Sequence, residues 1–93
     1  MPRVPTIDKK NDITVNLDVI YDVGIMPAVL YGVLVWLTDG STDKFFMTAK
    51  ELGELIGLSR YPIPRYLKIL HRKGYITMEY KHGIGYIIQL KNK

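Results

Sequence analysis

The sequence predicts a small α+β fold in which a core of three helices is followed by a C-terminal β-hairpin. Residues 48–76 contain two short amphipathic helices separated by a glycine turn. Residues 76–90 alternate apolar and polar side chains on either side of a His82-Gly83 pair, which is typical of a hairpin. Because 93 residues are enough to bury one core without disulfides or a metal, we expect a single domain over residues 13–93, after a flexible polar arm over residues 1–12.

Short elements are predicted on either side of the first long helix. Residues 13–16 alternate apolar and polar side chains and predict a strand. A brief helical turn is expected from Asn16 or Asp18 to Tyr21. Residues 39–43, with the sequence DGSTD, form a turn cluster, and residues 44–46 predict another short strand.

The helix predicted over residues 27–38 is apolar on every side and is interrupted only by Gly32. Pro27 suits its first position, where a missing N–H loses no hydrogen bond. A helix that is apolar all round must be covered all round, and one small domain covers only part of it. We therefore expect a homodimer that associates through this helix, at Tyr31, Val35 and Trp36, or through the N-terminal segment. The alternative is a helix that is simply central in one domain.

Residues 48–58 have the spacing of the first helix and turn of a helix-turn-helix. Thr48 and Glu51 form a capping box that starts the helix, and Gly57 ends it in a left-handed conformation. Gly53 leaves room for the second helix to pass close by. The inward side chains of the two helices are expected to include Leu52, Ile56, Leu58, Ile63 and Tyr66. The second helix of this motif usually lies in the major groove of DNA.

The second helix has two prolines near its start, Pro62 and Pro64. Since proline is tolerated in the first helical turn, regular helix is expected from Pro62, after a rigid lead-in over residues 59–61. Arg65 is the candidate for base readout, because a guanidinium can bond guanine O6 and N7 together. Tyr61 and Lys68 are expected at phosphates or thymine methyls, and Ile69 is either a contact or a packing residue. The full set of outward side chains expected to contact DNA is Arg60, Tyr61, Pro64, Arg65 and Lys68.

The hairpin is expected to lie beside the second helix as a wing. Gly74 ends that helix, and the strands are predicted over residues 76–81 and 84–90. Lys81 and His82 lie at the tip and are candidates for contacts to the minor groove or to flanking phosphates. A histidine at a loop tip is often only solvated, which is the alternative for His82. Tyr80 and Tyr86 are expected to pack on each other rather than to stack on bases.

The net charge of +4 is unevenly distributed along the chain. Residues 1–59 contain five basic and eight acidic side chains, whereas residues 60–93 contain eight basic side chains and one acidic one, Glu79. The positive half begins at the second helix of the motif and continues through the hairpin. A basic end of this kind is typical of proteins that bind a phosphate backbone, although charge alone also fits a solvated, lysine-rich surface.

With these motifs in place, residues 13–90 resemble a winged helix-turn-helix domain, and the specific part is residues 48–76 with the hairpin. The short, Tyr- and Ile-rich form is similar to small winged-helix proteins of archaeal plasmids and viruses, including DNA-binding components of plasmid segregation systems. The resemblance implies a cytoplasmic, nucleoid- or plasmid-associated homodimer that binds an inverted repeat in double-stranded DNA. It also implies higher-order spreading on DNA and recruitment of a partition adaptor and a Walker-type ATPase. Pro62 and Pro64 depart from the commoner Ser/Thr-rich start of the recognition helix.

No enzymatic, metal or cofactor site is indicated. The chain has no cysteine, and its two histidines, His71 and His82, lack metal-ligand spacing. Residues 83–85 are no phosphate loop because no helix follows them, and neither serine has the context of a nucleophile. The longest uncharged run, residues 23–37, is shorter than the roughly 20 apolar residues of a membrane span. We expect no enzyme, no membrane association and no small-molecule effector.

Two functional classes fit the sequence. In the first, the protein occupies specific duplex sites, most simply for plasmid partition with autorepression, or else as a transcriptional repressor or replication-initiation factor. In the second, the winged helix is a protein-interaction module. The basic C-terminal half favours the first class, and the apolar helix indicates a protein contact that a homodimer would satisfy.

Overall fold

Four helices and a three-stranded antiparallel sheet are formed by residues 13–83 and 85–91, which are the residues that the computed structural model describes. The helices are α1 (Leu17–Val23), α2 (Ile25–Thr38), α3 (Ala49–Ile56) and α4 (Ile63–Arg72), and the strands are β1 (Phe45–Met47), β2 (Ile76–Lys81) and β3 (Gly85–Leu90). The predicted α+β class and C-terminal hairpin are confirmed. The arm predicted over residues 1–12 and the strand position predicted for Ile84 lie outside the described residues.

Residues 13–16 form no strand, contrary to the prediction. Their backbone crosses α2 at Gly32, where a Cβ would lie 2.8 Å from the carbonyl oxygen of Thr14. Alternating apolar and polar side chains suit any extended segment that covers a core with one face, and here the covered element is a helix. Asn16 then starts α1, because its side chain accepts a hydrogen bond of 2.7 Å from the amide of Asp18. The predicted helical turn is thus confirmed as α1.

The apolar helix α2 begins at Ile25, two residues before the predicted start at Pro27. Gly24, with a φ of +98°, separates it from α1. Pro27 is still inside the first turn, whose amides have no intrahelical acceptor, and the amide of Ala28 bonds the Gly24 carbonyl at 3.1 Å. The proline is therefore compatible with the longer helix. In the described ranges no helix, α2 included, has the length and apolar character needed to cross a membrane.

The core lies between the helices and one face of the sheet. Its largest fully buried side chains come from α2, α3, α4, β2 and β3, and are Leu30, Leu34, Leu52, Ile63, Leu67, Leu70, Ile76 and Ile88. The inward positions predicted for α4 are confirmed, with Tyr66 partly buried against this core. Ile69 is partly buried and packs against the core, which is one of the two roles predicted for it.

The central strand of the sheet is β3, which pairs with β1 on one side and with β2 on the other. β1 begins at Phe45, one residue later than predicted. At the tip end of the hairpin, Lys81 of β2 pairs with Gly85 of β3. A Cβ on Gly85 would lie 2.9 Å from both the Met47 carbonyl oxygen and the Phe46 ring. The missing side chain at Gly85 allows β1 to lie close to the tip of the hairpin.

The turn between α3 and α4 has the predicted caps. The Thr48 hydroxyl accepts a hydrogen bond from the Glu51 amide, and the Glu51 carboxylate accepts one from the Thr48 amide, both at 3.0 Å. Gly57 ends α3 in the left-handed conformation with a φ of +75°. A Cβ on Gly53 would lie 2.7 Å from the Leu58 carbonyl oxygen and 2.8 Å from that of Ser59. Gly53 therefore makes room for the lead-in to α4, rather than for α4 itself.

Asp22 joins α1 to the end of α4. Its carboxylate accepts a hydrogen bond from the Tyr75 hydroxyl at 2.8 Å and forms an ion pair with Lys73 at 3.3 Å. The hydrogen bond raises the pKa of Tyr75 above its ordinary value, because the phenol must keep its proton to donate. The Tyr75 ring also lies 5.2 Å, between ring centroids, from that of Tyr31 on α2. These contacts hold the N-terminal helices against the connection between α4 and β2.

Candidate nucleic-acid interface

The start of α4 accommodates both prolines. Pro62 is the N-cap and Pro64 the second helical residue, so the helix begins at Ile63, one residue later than predicted. The amide of Tyr66 bonds the Pro62 carbonyl at 3.2 Å. Both prolines therefore precede the first residue whose amide bonds within the helix, and neither ring displaces a helical hydrogen bond.

Arg65 and Lys68 lie on the exposed side of α4. They are three positions apart along the helix, so their side chains are neighbours on one face. The helix contains no acidic side chain, and its last turn contains two further basic residues, His71 and Arg72. The placement of Arg65 and Lys68 leaves both free to meet an anionic surface along one helical turn.

Three of the predicted contact residues, Arg60, Tyr61 and Pro64, lie together in a groove of about 500 Å³. The groove separates the start of α4 from the hairpin. Its other described lining residues come from the first turn of α3 and from the hairpin, and are Thr48, Ala49, Lys50, Tyr80, Gly83, Gly85 and Tyr86. None of these lining residues is acidic. The groove thus presents cations and aromatic rings to a ligand.

The lead-in to α4 holds Tyr61 away from the core. The Ser59 hydroxyl accepts a hydrogen bond of 3.4 Å from the Tyr61 amide. The Arg60 guanidinium lies 5.5 Å from the centroid of the Tyr61 ring, a cation–π distance. Tyr61 is 78% exposed. Protein surfaces that bind nucleic acids commonly combine exposed aromatic rings with cations.

The two contact residues predicted for the hairpin, Lys81 and His82, are not among the residues that line the groove. Lys81 forms an ion pair with Glu79 at 3.0 Å and is not among the residues that line the groove. Because side chains alternate along a strand, Lys81 and Glu79 lie on the sheet face opposite to Tyr80. His82 is exposed at the tip, and its ring stands edge-on to that of Tyr80 with 6.1 Å between the centroids.

Tyr80 is a groove residue to which the sequence analysis assigned only packing. The packing is confirmed, since Tyr80 pairs with Tyr86 across the strands and their ring centroids are 5.1 Å apart. Its hydroxyl also accepts a hydrogen bond from the Gly83 amide at 3.4 Å, and the residue remains 54% exposed. The alternation along β2 was the sequence signal that places Tyr80 on the inner face of the sheet, because Tyr80 shares a strand face with the buried Ile76.

Lys50 is a second groove residue that the predicted contacts omitted. It is exposed in the first turn of α3, between the two residues of the capping box, Thr48 and Glu51. The contacts predicted from the sequence include cations of the second helix and of the wing only. That Lys50 and Arg60 line the same groove depends on how α3 and α4 pack, which no local pattern shows.

The groove also contains a tyrosine that stays neutral. Burial raises the pKa of Tyr86, and the neighbouring Tyr80 adds to this effect. The phenol of Tyr86 therefore keeps its proton to a higher pH than an exposed tyrosine does. In the part of the chain that the structure describes, no group of three or more His, Asp or Glu side chains is placed to hold a metal ion.

The residues predicted for a dimer interface lie on α2, and the structure gives them partners within the chain. Tyr31 and Val35 pack against the core, and the Tyr31 ring meets that of Tyr75. Trp36 is partly exposed and lines a recess with Ile13, Thr14, Gly32, Val35, Asp39 and Gly40. Residues 13–16 and α1 thus cover part of the apolar surface that suggested a second subunit. More exposed apolar side chains lie nearby, at Leu17, Tyr21 and Ile25.

In comparisons with known proteins, the chain matches no protein family, no curated protein and no solved structure. What it binds must therefore be inferred from its own side chains and their placement.

Proposed function

We propose that the protein is a winged helix-turn-helix protein that binds specific sites in double-stranded DNA as a dimer. One observation carries the proposal: Arg60, Arg65 and Lys68 are exposed on α4 and its lead-in, next to a groove whose described lining residues include no acidic one. A basic helix face bordered by a hairpin suits contact with a major groove and the adjacent backbone. The protein acts by occupying DNA, without catalysis or a cofactor.

The order of the elements is compatible with this proposal. β1 precedes α3 and pairs with β3, and β2 packs against α4, so the sheet that ends in the hairpin lies beside α4. In a winged helix, α2, α3 and α4 would be the three core helices, α4 the recognition helix and the β2–β3 hairpin the wing. The short helix α1 is an addition to that plan.

The process that we propose is plasmid partition with autorepression in the cytoplasm, at plasmid or nucleoid DNA. It rests on the resemblance of residues 13–90 to small winged-helix proteins of archaeal plasmids. The protein would occupy a centromere-like site, spread along adjacent DNA, and recruit an adaptor and a Walker-type ATPase. Transcriptional repression and replication initiation use the same DNA-binding chemistry, and the genomic position of the bound site distinguishes the three.

Selection from a pool of random duplexes at near-physiological salt tests the proposed function. An enriched inverted repeat is the expected result, since a symmetric dimer reads two half-sites. Retention without a motif would contradict site-specific binding. The absence of retention would favour a protein-interaction module instead, for which the exposed Leu17, Tyr21 and Ile25 offer apolar contact surface.

Arg65→Ala is expected to weaken binding to the selected site by about 1–3 kcal/mol and to relax the preference at one base position. The physical reason is the loss of a bidentate contact to a base edge. The measurement is a titration of duplexes that vary at single positions. Arg72→Ala is the matched control, because Arg72 is exposed in the last turn of the same helix. If Arg65→Ala keeps the parental base preference, Arg65 takes no part in readout.

The proposed dimer predicts that the melting temperature rises with protein concentration, because association stabilises the folded state by mass action. Trp36→Ala is expected to lower the melting temperature and to shift the protein towards a monomer in light scattering. Trp36 is tested because it is a partly exposed aromatic side chain of α2. Melting of the parent protein at one temperature over a wide concentration range would contradict the dimer.

A further inference from the structure

We propose that the groove between α3, α4 and the hairpin binds the sugar–phosphate backbone of one DNA strand. In this arrangement Lys50 and Arg60 contact phosphates, and Tyr61 and Tyr80 pack against the deoxyribose rings between them. The inference rests on the proposed function and extends it, because it adds Lys50 and Tyr80 to the DNA-contacting surface. It also assigns the first turn of α3 to that surface.

The charges of the groove favour an anionic ligand. Lys50 and Arg60 line it from two different elements, and both are exposed. Among the described residues neither of them forms an ion pair, whereas Lys81 on the other sheet face is paired with Glu79 at 3.0 Å. A phosphate near Lys50 or Arg60 therefore displaces no protein carboxylate. Lys81, in contrast, would have to exchange one anionic partner for another.

The aromatic rings of the groove are held in place before any ligand binds. Tyr61 lies under the Arg60 guanidinium, and Tyr80 is fixed by Tyr86 behind it and by the Gly83 amide at its hydroxyl. Both rings remain largely exposed. Leaving such rings in water forgoes the free energy of burying their apolar surface, and a ligand with apolar patches would supply that burial. A DNA backbone alternates anionic phosphates with apolar sugars, which matches a lining of cations and aromatic rings.

In this arrangement the two cations of the groove, Lys50 and Arg60, are engaged by phosphates and do not read bases. Of the described residues that line the groove, none has a carboxylate or a carboxamide, the groups that pair with adenine or cytosine edges. The small residues Ala49 and Gly83 leave the floor open to a backbone that lies along it. The groove would therefore set the register of the protein on DNA, while α4 reads the bases.

Lys50→Gln tests the proposal, with Lys44→Gln as the matched control. Lys44 is also an exposed lysine, but it lines a recess on the sheet with Glu79 and Gln89 and not the groove. Affinity for the selected duplex is measured as a function of salt concentration. Lys50→Gln is expected to reduce the salt slope by about one, with the same loss for all sequences, because one phosphate contact is removed. Lys44→Gln is expected to keep the parental slope.

Duplexes with a single neutral methylphosphonate locate the contact. One backbone position is expected to weaken binding of the parent protein and to have no further effect on Lys50→Gln. Circular dichroism melting checks that both variants fold. If both lysine variants have the same slope, or if Lys50→Gln keeps full sensitivity at every methylphosphonate, the groove does not bind the backbone even though DNA binding stands. If the parent binds no duplex at all, the proposed function fails first and this inference fails with it.

Discussion

Leu67→Ala is expected to lower the free energy of unfolding by about 2–5 kcal/mol. Leu67 is fully buried in the middle of α4, where the core meets both α2 and the sheet. Removing its side chain loses apolar burial and leaves a cavity that the surrounding helices fill only partly. The measurement is urea unfolding followed by circular dichroism, with the slope of the transition checked for two-state behaviour.

Lys68→Ala is the matched control for Leu67→Ala, because it truncates the next residue of the same helix on the exposed side. It is expected to leave stability within about 0.5 kcal/mol of the parent. Under the proposed function it weakens DNA binding, so the two neighbouring variants separate folding from binding. Equal stability of Leu67→Ala and the parent would contradict the packing of α4 described above.

Gly53→Ala is expected to destabilise the protein by about 3 kcal/mol, at the upper end of the usual range for overpacking. Alanine is ordinarily favoured over glycine inside a helix by about 1 kcal/mol, so helix propensity alone predicts the opposite sign. The new Cβ would lie within 2.8 Å of the carbonyl oxygens of Leu58 and Ser59. Both obstructing atoms belong to the backbone, and no flexible side chain can move aside. The α3–α4 turn itself must shift.

Thermal melting compares Gly53→Ala with Glu54→Ala, a substitution at the adjacent exposed position of α3. Glu54→Ala is expected to melt close to the parent protein, since it removes no core contact. A Gly53→Ala variant that is as stable as the parent would show that the turn has room for a methyl group. Where the variant remains folded at low temperature, the displaced lead-in is also expected to weaken any binding that depends on Arg60 and Tyr61.

The candidate site was predictable for α4 and only partly for the hairpin. Exposure of Arg65 and Lys68 follows from the spacing of apolar residues along one helix, and it is confirmed. Arg60, in the lead-in to α4, is exposed as well. The contacts predicted for the hairpin lie at its tip, at Lys81 and His82. The strand alternation that separates Lys81 from the groove was visible in the sequence. The sequence did not show which of the two strand faces borders the groove, because this depends on which sheet face the helices cover.

The covering of α2 is a second feature that local sequence patterns do not specify. The apolar character of α2 indicates that the helix must be covered, but it does not say by what. In the structure, residues 13–16 cross it at Gly32, and the Tyr31 ring packs against Tyr75. The alternation in residues 13–16, which predicted a strand, thus belongs to a segment that covers α2. On α1 and at the start of α2, the exposed large apolar side chains are Leu17, Tyr21 and Ile25, which lie outside residues 27–38, the stretch whose pattern predicted a dimer.

The sequence by itself determined the α+β class, the caps of α3, the glycine that ends it, the buried side of α4 and the hairpin. Each depends on interactions among residues a few positions apart, such as the Thr48–Glu51 capping box. Only the tertiary structure decided that Gly53 faces the lead-in, that Gly32 admits residues 13–16, and that Lys50 and Tyr80 share a groove with Arg60. These features depend on which distant segments become neighbours. That choice is made by the packing of the whole core, and no local periodicity specifies it.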